Sequence, residues 1–189
     1  MGTLSGDIER NLVDLARKGD RAAMRQIYDC YSRYLSATCS RYLPDSDDLR
    51  DVLQDSFVKI FSSLGKFDYR GEGSLKGWMR QISVNEALKL IRKRKRSDTL
   101  EYKWDLPDKE QEEEPDVGNV PSAVIQKMIQ ALPEGYRTVL NLYAFEEKSH
   151  KEIAELLGIT ESTSASQLHR ARAILARQIK DYKKRTEKS

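Results

Sequence analysis

Apolar residues recur along this chain at three- and four-residue steps, the spacing that gathers side chains on one side of a helix. Ile8, Leu12 and Leu15 mark a first short helix over residues 7–18, stopped by Gly19. Asp20 is placed to cap the next. That second helix carries Met24, Ile27, Tyr28, Tyr31 and Leu35 as core packing and ends near Pro44. Ser46 or Asp47 opens a third, where Leu49, Val52, Leu53, Phe57, Ile60, Phe61 and Leu64 form a wide apolar stripe. After a loop, FDYRGEG at 67–73, Ser74 caps a long fourth helix with core positions Leu75, Trp78, Met79, Ile82, Leu88 and Ile91.

The periodicity then stops. Residues 97–120 include EQEEEPD and only four sizeable apolar groups, Leu100, Tyr102, Trp104 and Leu106. Such a segment buries too little to fold alone and reads as an extended linker. Helical spacing returns at 123–131 and again, after Leu132-Pro133-Glu134, through Tyr136, Val139, Leu140, Leu142 and Tyr143. Residues 149–172, SHKEIAELLGITESTSASQLHRAR, then place Ile153, Ala154, Leu156 and Leu157 on one short helix. Gly158 permits a left-handed turn, Ile159 turns back to the core, and Thr160 is a good N-cap for a final helix through Leu168, Ala171, Ile174 and Leu175. Two helices joined by a tight glycine turn have the shape that sets a recognition helix in a DNA major groove. Ser162, Thr163, Ser166 and Gln167 are assigned to its exposed face. Ser164 stands where this motif usually buries a branched apolar residue, and its hydroxyl is expected to bond back to a carbonyl one turn earlier.

The predicted fold is therefore all-α. Two small helical domains, 7–96 and 121–183, are joined by the acidic flexible linker 97–120, and the C-terminal domain contains the helix-turn-helix. Charge sharpens this division. The net +3 is distributed as +6 over 1–96, −7 over 97–120 and +4 over 121–189. Two basic blocks around one acidic segment, with a helix-turn-helix in one of them, point to nucleic acid. No apolar run reaches the length of a membrane span, and the N-terminus lacks a signal-peptide core. The expectation is a soluble, cytoplasmic protein.

Candidate chemistry is sparse. Cys30 and Cys39 fall on opposite sides of one helix and cannot bridge. With only His150 and His169 beside them, no zinc site can be assembled, and both are read as buried free thiols. Asp47, Asp48, Asp51 and Asp55 line one face of the third helix. They invite a metal-dependent nuclease, but acids near a helix start are favoured by its dipole, and an acidic face for docking a basic protein partner is the stronger reading. The fourth helix carries Lys76, Arg80, Asn85, Lys89 and Arg92 opposite its core and ends in RKRKR at 92–96, more cations than capping requires. Phosphate binding is the expected use. Tyr69 and Trp78 are suited to stacking bases; Trp78 is equally well placed to be core.

Four stretches, DLRDVLQDSFVKIF, GSLKGWMRQISVNEALKLIRKRKR, IQALPEGYRTVLNLYAFEEKSHKEIAELLGIT and LHRARAIL, occur in an order and spacing that resemble the extracytoplasmic-function (ECF) RNA polymerase sigma factors of the sigma-70 family. The resemblance covers residues 14–179. It implies a non-catalytic promoter-specificity subunit without cofactor or metal. Asp51, Gln54, Asp55, Phe57 and Phe61 would bind the clamp helices of the largest subunit of core RNA polymerase. The fourth helix and its preceding loop would capture the non-template strand of the −10 element, through Lys76, Trp78, Arg80, Lys89 and Arg92 with Asn85 reading a base. Lys151, Thr163, Ser166, Gln167, His169 and Arg170 would meet the −35 element. The second domain would also meet the flap of the second-largest subunit, and an anti-sigma factor would hold the protein inactive. Two departures stand out. Gly77-Trp78 replaces a tryptophan pair found in primary sigma factors, which implies weaker melting. Ala165 replaces a basic residue common in the recognition helix. A stand-alone helix-turn-helix regulator is the rival reading.

Overall fold

A computed structural model describes residues 6–97, 117, 118 and 120–186. Apart from the Ser97 backbone, Val117, Gly118 and Val120, the expected linker lies outside the described residues, as do the side chains of Lys95, Arg96 and Ser97. All regular structure among the described residues is helical: α1 (Gly6–Arg17), α2 (Arg21–Ser40), α3 (Ser46–Ser63), a 3₁₀ turn (Leu64–Lys66), α4 (Ser74–Ser97), α5 (Ser122–Gln130), α6 (Glu134–Ala144), α7 (His150–Leu157) and α8 (Glu161–Thr186). The chain divides into two compact units, with the boundary between Arg94 and Lys95.

In the first unit the core is built from Leu12, Val13 and Ala16 of α1, Ile27, Tyr31 and Leu35 of α2, Phe57 and Ile60 of α3, and Leu75 and Met79 of α4. Each such aliphatic side chain contributes roughly 1.5–3 kcal/mol by leaving water. Asp20 caps α2, accepting from the Ala23 N–H at 2.9 Å. Several boundaries differ from expectation. α2 ends at Ser40, not near Pro44, and Tyr42 and Leu43 beyond it are fully buried. α3 opens at Ser46 as expected; Asp45 before it is the cap, accepting from the N–H groups of Asp48 and Asp47, which hold its carboxyl below the ordinary range. Ser74 is the first residue of α4, and its hydroxyl ties back into the preceding loop by donating to Gly71 O at 2.6 Å.

Several residues assigned to apolar faces or to burial lie at the surface, among them Ile8 and Leu15 of α1 and Tyr143 of α6. Tyr28 is 43% exposed, because it sits on the rim of α2 beside Phe57. Cys30 is exposed and Cys39 buried; neither forms a disulfide, and the Cys39 thiol donates to Ser83 O at 3.8 Å.

In the second unit α8 runs along α6 and α7, with Tyr136, Val139, Leu142, Ile153, Leu168, Ala171, Leu175 and Ile179 buried between them. Arg137 is buried too. Its Nη1 donates to Gln130 O at 3.0 Å and Leu132 O at 2.7 Å, satisfying carbonyls left over at the end of α5. No helix among the described residues is long and apolar enough to cross a membrane.

Candidate nucleic-acid and polymerase interfaces

On α4 the buried side is continuous through Leu75, Met79, Ser83, Glu86, Ala87 and Ile91. The opposite side exposes Gly77, Gln81, Asn85, Lys89 and Arg92 at steps of three and four, so these form one polar stripe. Gln81 Nε2 donates to Asn85 Oδ1 at 3.2 Å, which orients the Asn85 amide. Lys89 Nζ lies 3.6 Å from Glu86, and Arg92 Nε donates to Leu88 O at 3.3 Å. The helix thus brings Asn85, Lys89 and Arg92 together. Lys76 and Arg80 are half-buried and sit to one side; the Lys76 ammonium stands 4.4 Å above the Tyr34 ring. Trp78 is half-buried, its ring 4.8 Å from that of Phe67.

The loop before α4 reverses direction through Gly71 and Gly73, at φ 109° and 83°, values that favour glycine. Asp68, Arg70 and Glu72 point to solvent from it. Tyr69 is half-buried, and its hydroxyl donates to Gly6 O at 2.8 Å.

On α3, Asp51, Gln54, Asp55 and Val58 make an exposed stripe. Val58, 65% exposed, was missed in the sequence. The available signal was an apolar residue four beyond Gln54 on an otherwise acidic face. Phe57 is buried at 7% exposure, tilted against the Tyr28 ring 4.6 Å away and stacked on Phe61 at 6.0 Å. It therefore faces the core. Phe61, Tyr28, Met24, Arg21 and Arg25 line an open groove beside the stripe. Asp47 pairs with Arg50 at 2.7 Å and Asp48 pairs with Arg94, so two of the four clustered carboxylates are neutralised by cations of the same protein.

In the second unit Ser149 and Glu152 form a reciprocal capping box at the start of α7. The Ser149 backbone N–H, then Lys148 and the Ser149 hydroxyl, hold the Glu152 carboxyl down to about 2. Gly158 ends α7 at φ 64°, and Thr160 Oγ1 accepts from the Thr163 N–H at 3.1 Å to start α8. The exposed face of α8 presents Ser162, Ala165, Ser166, His169 and Arg170. Thr163 and Gln167 are half-buried on its flank, not on that face. Gln167 is turned toward α6, where a Cβ on Gly135 would meet its amide at 3.3 Å. Arg170 Nη1 donates to the Tyr136 hydroxyl of α6 at 3.2 Å, which ties the guanidinium to that helix. Lys151 is exposed on α7. Ser164 is fully buried, and its hydroxyl meets His150 Nδ1 at 2.9 Å instead of a carbonyl of its own helix.

Comparison with known proteins agrees with this two-part organisation. The family model for Sigma-70 region 2 matches residues 27–97, and that for Sigma-70 region 4 matches residues 122–175. The ECF RNA polymerase sigma factor SigW of Bacillus subtilis is 30% identical over 180 residues, covering 89% of this chain and 95% of SigW. The RNA polymerase sigma-H factor of Pseudomonas aeruginosa is 28% identical over 180 residues, covering 89% and 92%. A solved structure, the sigma factor RpoE with the anti-sigma factor NepR from Bartonella quintana, aligns at 22% identity with a TM-score of 0.48, over 82% of this chain and 96% of that one.

Proposed function

The chain belongs to the ECF group of the sigma-70 family of RNA polymerase sigma factors, and on that premise we propose how its two units divide the work. As a sigma factor it binds core RNA polymerase and directs promoter-specific initiation. The single observation that carries this is the presence of both sigma-70 regions, in order, on one chain. The same observation disfavours a stand-alone regulator, which has no use for region 2.

Within that role, residues 7–96 bind the polymerase and the −10 element, and residues 121–183 bind the −35 element. The α3 stripe of Asp51, Gln54, Asp55 and Val58, with Phe61 beside it, docks on the clamp helices of the largest subunit. Its charge suits a basic partner. The polar stripe of α4 holds single-stranded DNA: Asn85 reads an unstacked base while Lys89 and Arg92 meet phosphates. Lys76, Arg80 and Trp78 border this track. On α8, Ser166, His169 and Arg170 face the major groove; Thr163 and Gln167 flank them, and Lys151 on α7 reaches a phosphate. The second unit also meets the flap of the second-largest subunit. Residues 97–120 link the units, and their charge imitates nucleic acid in the polymerase cleft. Two weak contacts tethered through one polymerase gain by effective concentration. The chain performs no catalysis, works in the cytoplasm and is held by an anti-sigma factor, a partner inferred from family membership.

Run-off transcription with purified protein and bacterial core polymerase, on a randomised promoter library, tests this. Start sites sharing paired elements are expected; the absence of directed starts at any salt concentration refutes it.

A further inference from the structure

Helix α1 lies upstream of the residues matched by the region 2 model. It nevertheless makes the contacts that fix the loop leading into α4. Arg17, in the last turn of α1, spans the end of α3 and the start of that loop. Its Nε donates to Leu64 O at 3.2 Å, its Nη2 donates to Phe67 O, and its Nη1 is held by Asp14 at 3.1 Å. Leu64 opens the 3₁₀ turn that follows α3 and Phe67 follows its end, so Arg17 joins the two ends of that turn. A planar guanidinium with a fixed fork of N–H groups sets the distance between the two carbonyls, which a flexible ammonium cannot do.

The other end of α1 holds the middle of the loop. The Tyr69 hydroxyl donates to Gly6 O at 2.8 Å, and a Cβ at Gly6 would already touch that hydroxyl at 3.4 Å. Between the two ends, the buried Glu9 carboxylate accepts from the Tyr31 hydroxyl, which ties α1 to α2. Burial, then Glu9, raises both Tyr31 and Tyr69 above the ordinary tyrosine range, so both hydroxyls stay protonated as donors. Downstream, Ser74 secures the loop exit through Gly71 O. The outward side chains Asp68, Arg70 and Glu72 are therefore displayed from a strip clamped at its entry, middle and exit.

We propose that α1 is a brace for the strand-capturing loop, with Arg17 and Tyr69 as positioning residues for −10 recognition. The inference rests on the reading of α4 and its loop as the −10 site. It assigns a role in promoter recognition to a helix outside both matched regions, one that touches no DNA in this scheme.

The test uses the full chain assembled with bacterial core polymerase. One template is a promoter selected by the wild-type holoenzyme from a randomised library; the other differs at one −10 base. 2-Aminopurine in the non-template strand reports opening. Arg17→Gln is expected to slow opening of the selected promoter about tenfold, with affinity for core polymerase changed less than about twofold. Arg17→Lys, which keeps a donor for one carbonyl, is expected to fall between. Tyr69→Phe keeps the ring and removes the bond to α1; discrimination between the templates is expected to drop about threefold. A merely structural role would reduce the amount of active holoenzyme and scale both templates alike, and that result overturns the proposal. So does wild-type discrimination in Arg17→Gln and Tyr69→Phe when Asn85→Ala has lost it, an outcome that leaves the −10 reading standing. If Asn85→Ala also discriminates like wild type, the −10 reading fails and the brace fails with it.

Discussion

Ser164 Oγ and His150 Nδ1 lie 2.9 Å apart across the helix-turn-helix, joining the recognition helix to the helix before it. Ser164 is fully buried, so this contact replaces the apolar packing expected at the crossing. The imidazole stacks 5.1 Å from Tyr143, and the Arg172 guanidinium lies 5.5 Å from the same ring. A polar pair in the crossing fixes one relative orientation, with Ser164 fully buried and His150 half-buried. Ser164→Ala strands His150 and is expected to cost the second unit about 1 kcal/mol. His150→Phe with Ser164→Val removes both polar partners and is expected to cost less than the sum of the single changes. Urea unfolding of the wild type, His150→Phe, Ser164→Val and the double variant measures the coupling, with Ser164→Ala run beside them.

The capping box of α7 gives a pH signature. Glu152 is held at about 2 against an ordinary 4.5, so its folded form binds a proton less readily than its unfolded form. A carboxyl depressed in this way stabilises the fold above 4.5, and that stabilisation is lost as pH falls through about 2. The denaturant midpoint of the second unit is expected to fall across this window. Glu152→Gln is expected to start lower and to flatten that part of the profile.

The helices were legible because each buries one face, and burial imposes a three-to-four-residue period that the sequence must show. Gly158, Thr160 and Asp20 were legible for a similar reason, since few residue types suit a left-handed turn or a cap. The errors fall where the deciding partner is distant in sequence. Ser164 meets His150, not its own helix, and Gln167 turns toward Gly135 on α6. Arg17 looks like an ordinary dipole-compensating cation, yet it bridges carbonyls some fifty residues away. The α3 pattern set Phe57 on the apolar stripe, where it is buried; its place on the polymerase surface came from the family resemblance alone. Asn85, Lys89 and Arg92 were recognisable as one stripe from spacing, but their roles came from family resemblance.

In the first unit, Lys59 Nζ lies 2.6 Å from Glu86 Oε1, linking α3 to α4, and Lys89 approaches the other oxygen. Burial alone would raise the Glu86 carboxyl; hydrogen bonding and charge from Lys59, with Lys89, outweigh it and lower it. The sign is therefore the same as for Glu152: stabilisation is present above the ordinary carboxylate range and is lost as the medium becomes more acidic. Glu86→Ala is expected to destabilise this unit by about 1–3 kcal/mol at neutral pH, with the deficit shrinking in acid. Thermal unfolding at two pH values checks it.

Polymerase binding separates surface residues from core ones. Asp55→Lys reverses a charge on the exposed stripe of α3 and is expected to weaken competition for core polymerase by about tenfold or more without moving the melting temperature. Phe57→Ala removes a buried ring and is expected to cost about 3–5 kcal/mol of stability. A binding defect in Phe57→Ala that disappears when the folded fraction is taken into account would identify this ring as core, whereas an undiminished defect would place it in the interface.

Salt dependence distinguishes the members of the α4 stripe. A cation that meets a phosphate releases bound counterions, so its removal lowers the slope of log affinity against log salt by about one, whatever the sequence. Arg92→Ala is expected to behave in this way when holoenzyme binds a fork template with single-stranded −10 DNA. Lys89 already shares its charge with Glu86 at 3.6 Å, so Lys89→Ala is expected to change the slope less. Asn85 carries no charge. Its replacement by alanine is expected to leave the slope unchanged and to relax discrimination at one −10 position by about 1–3 kcal/mol. If Asn85→Ala lowered the slope and Arg92→Ala relaxed base discrimination, the assignment of reader and anchor along α4 would have to be reversed.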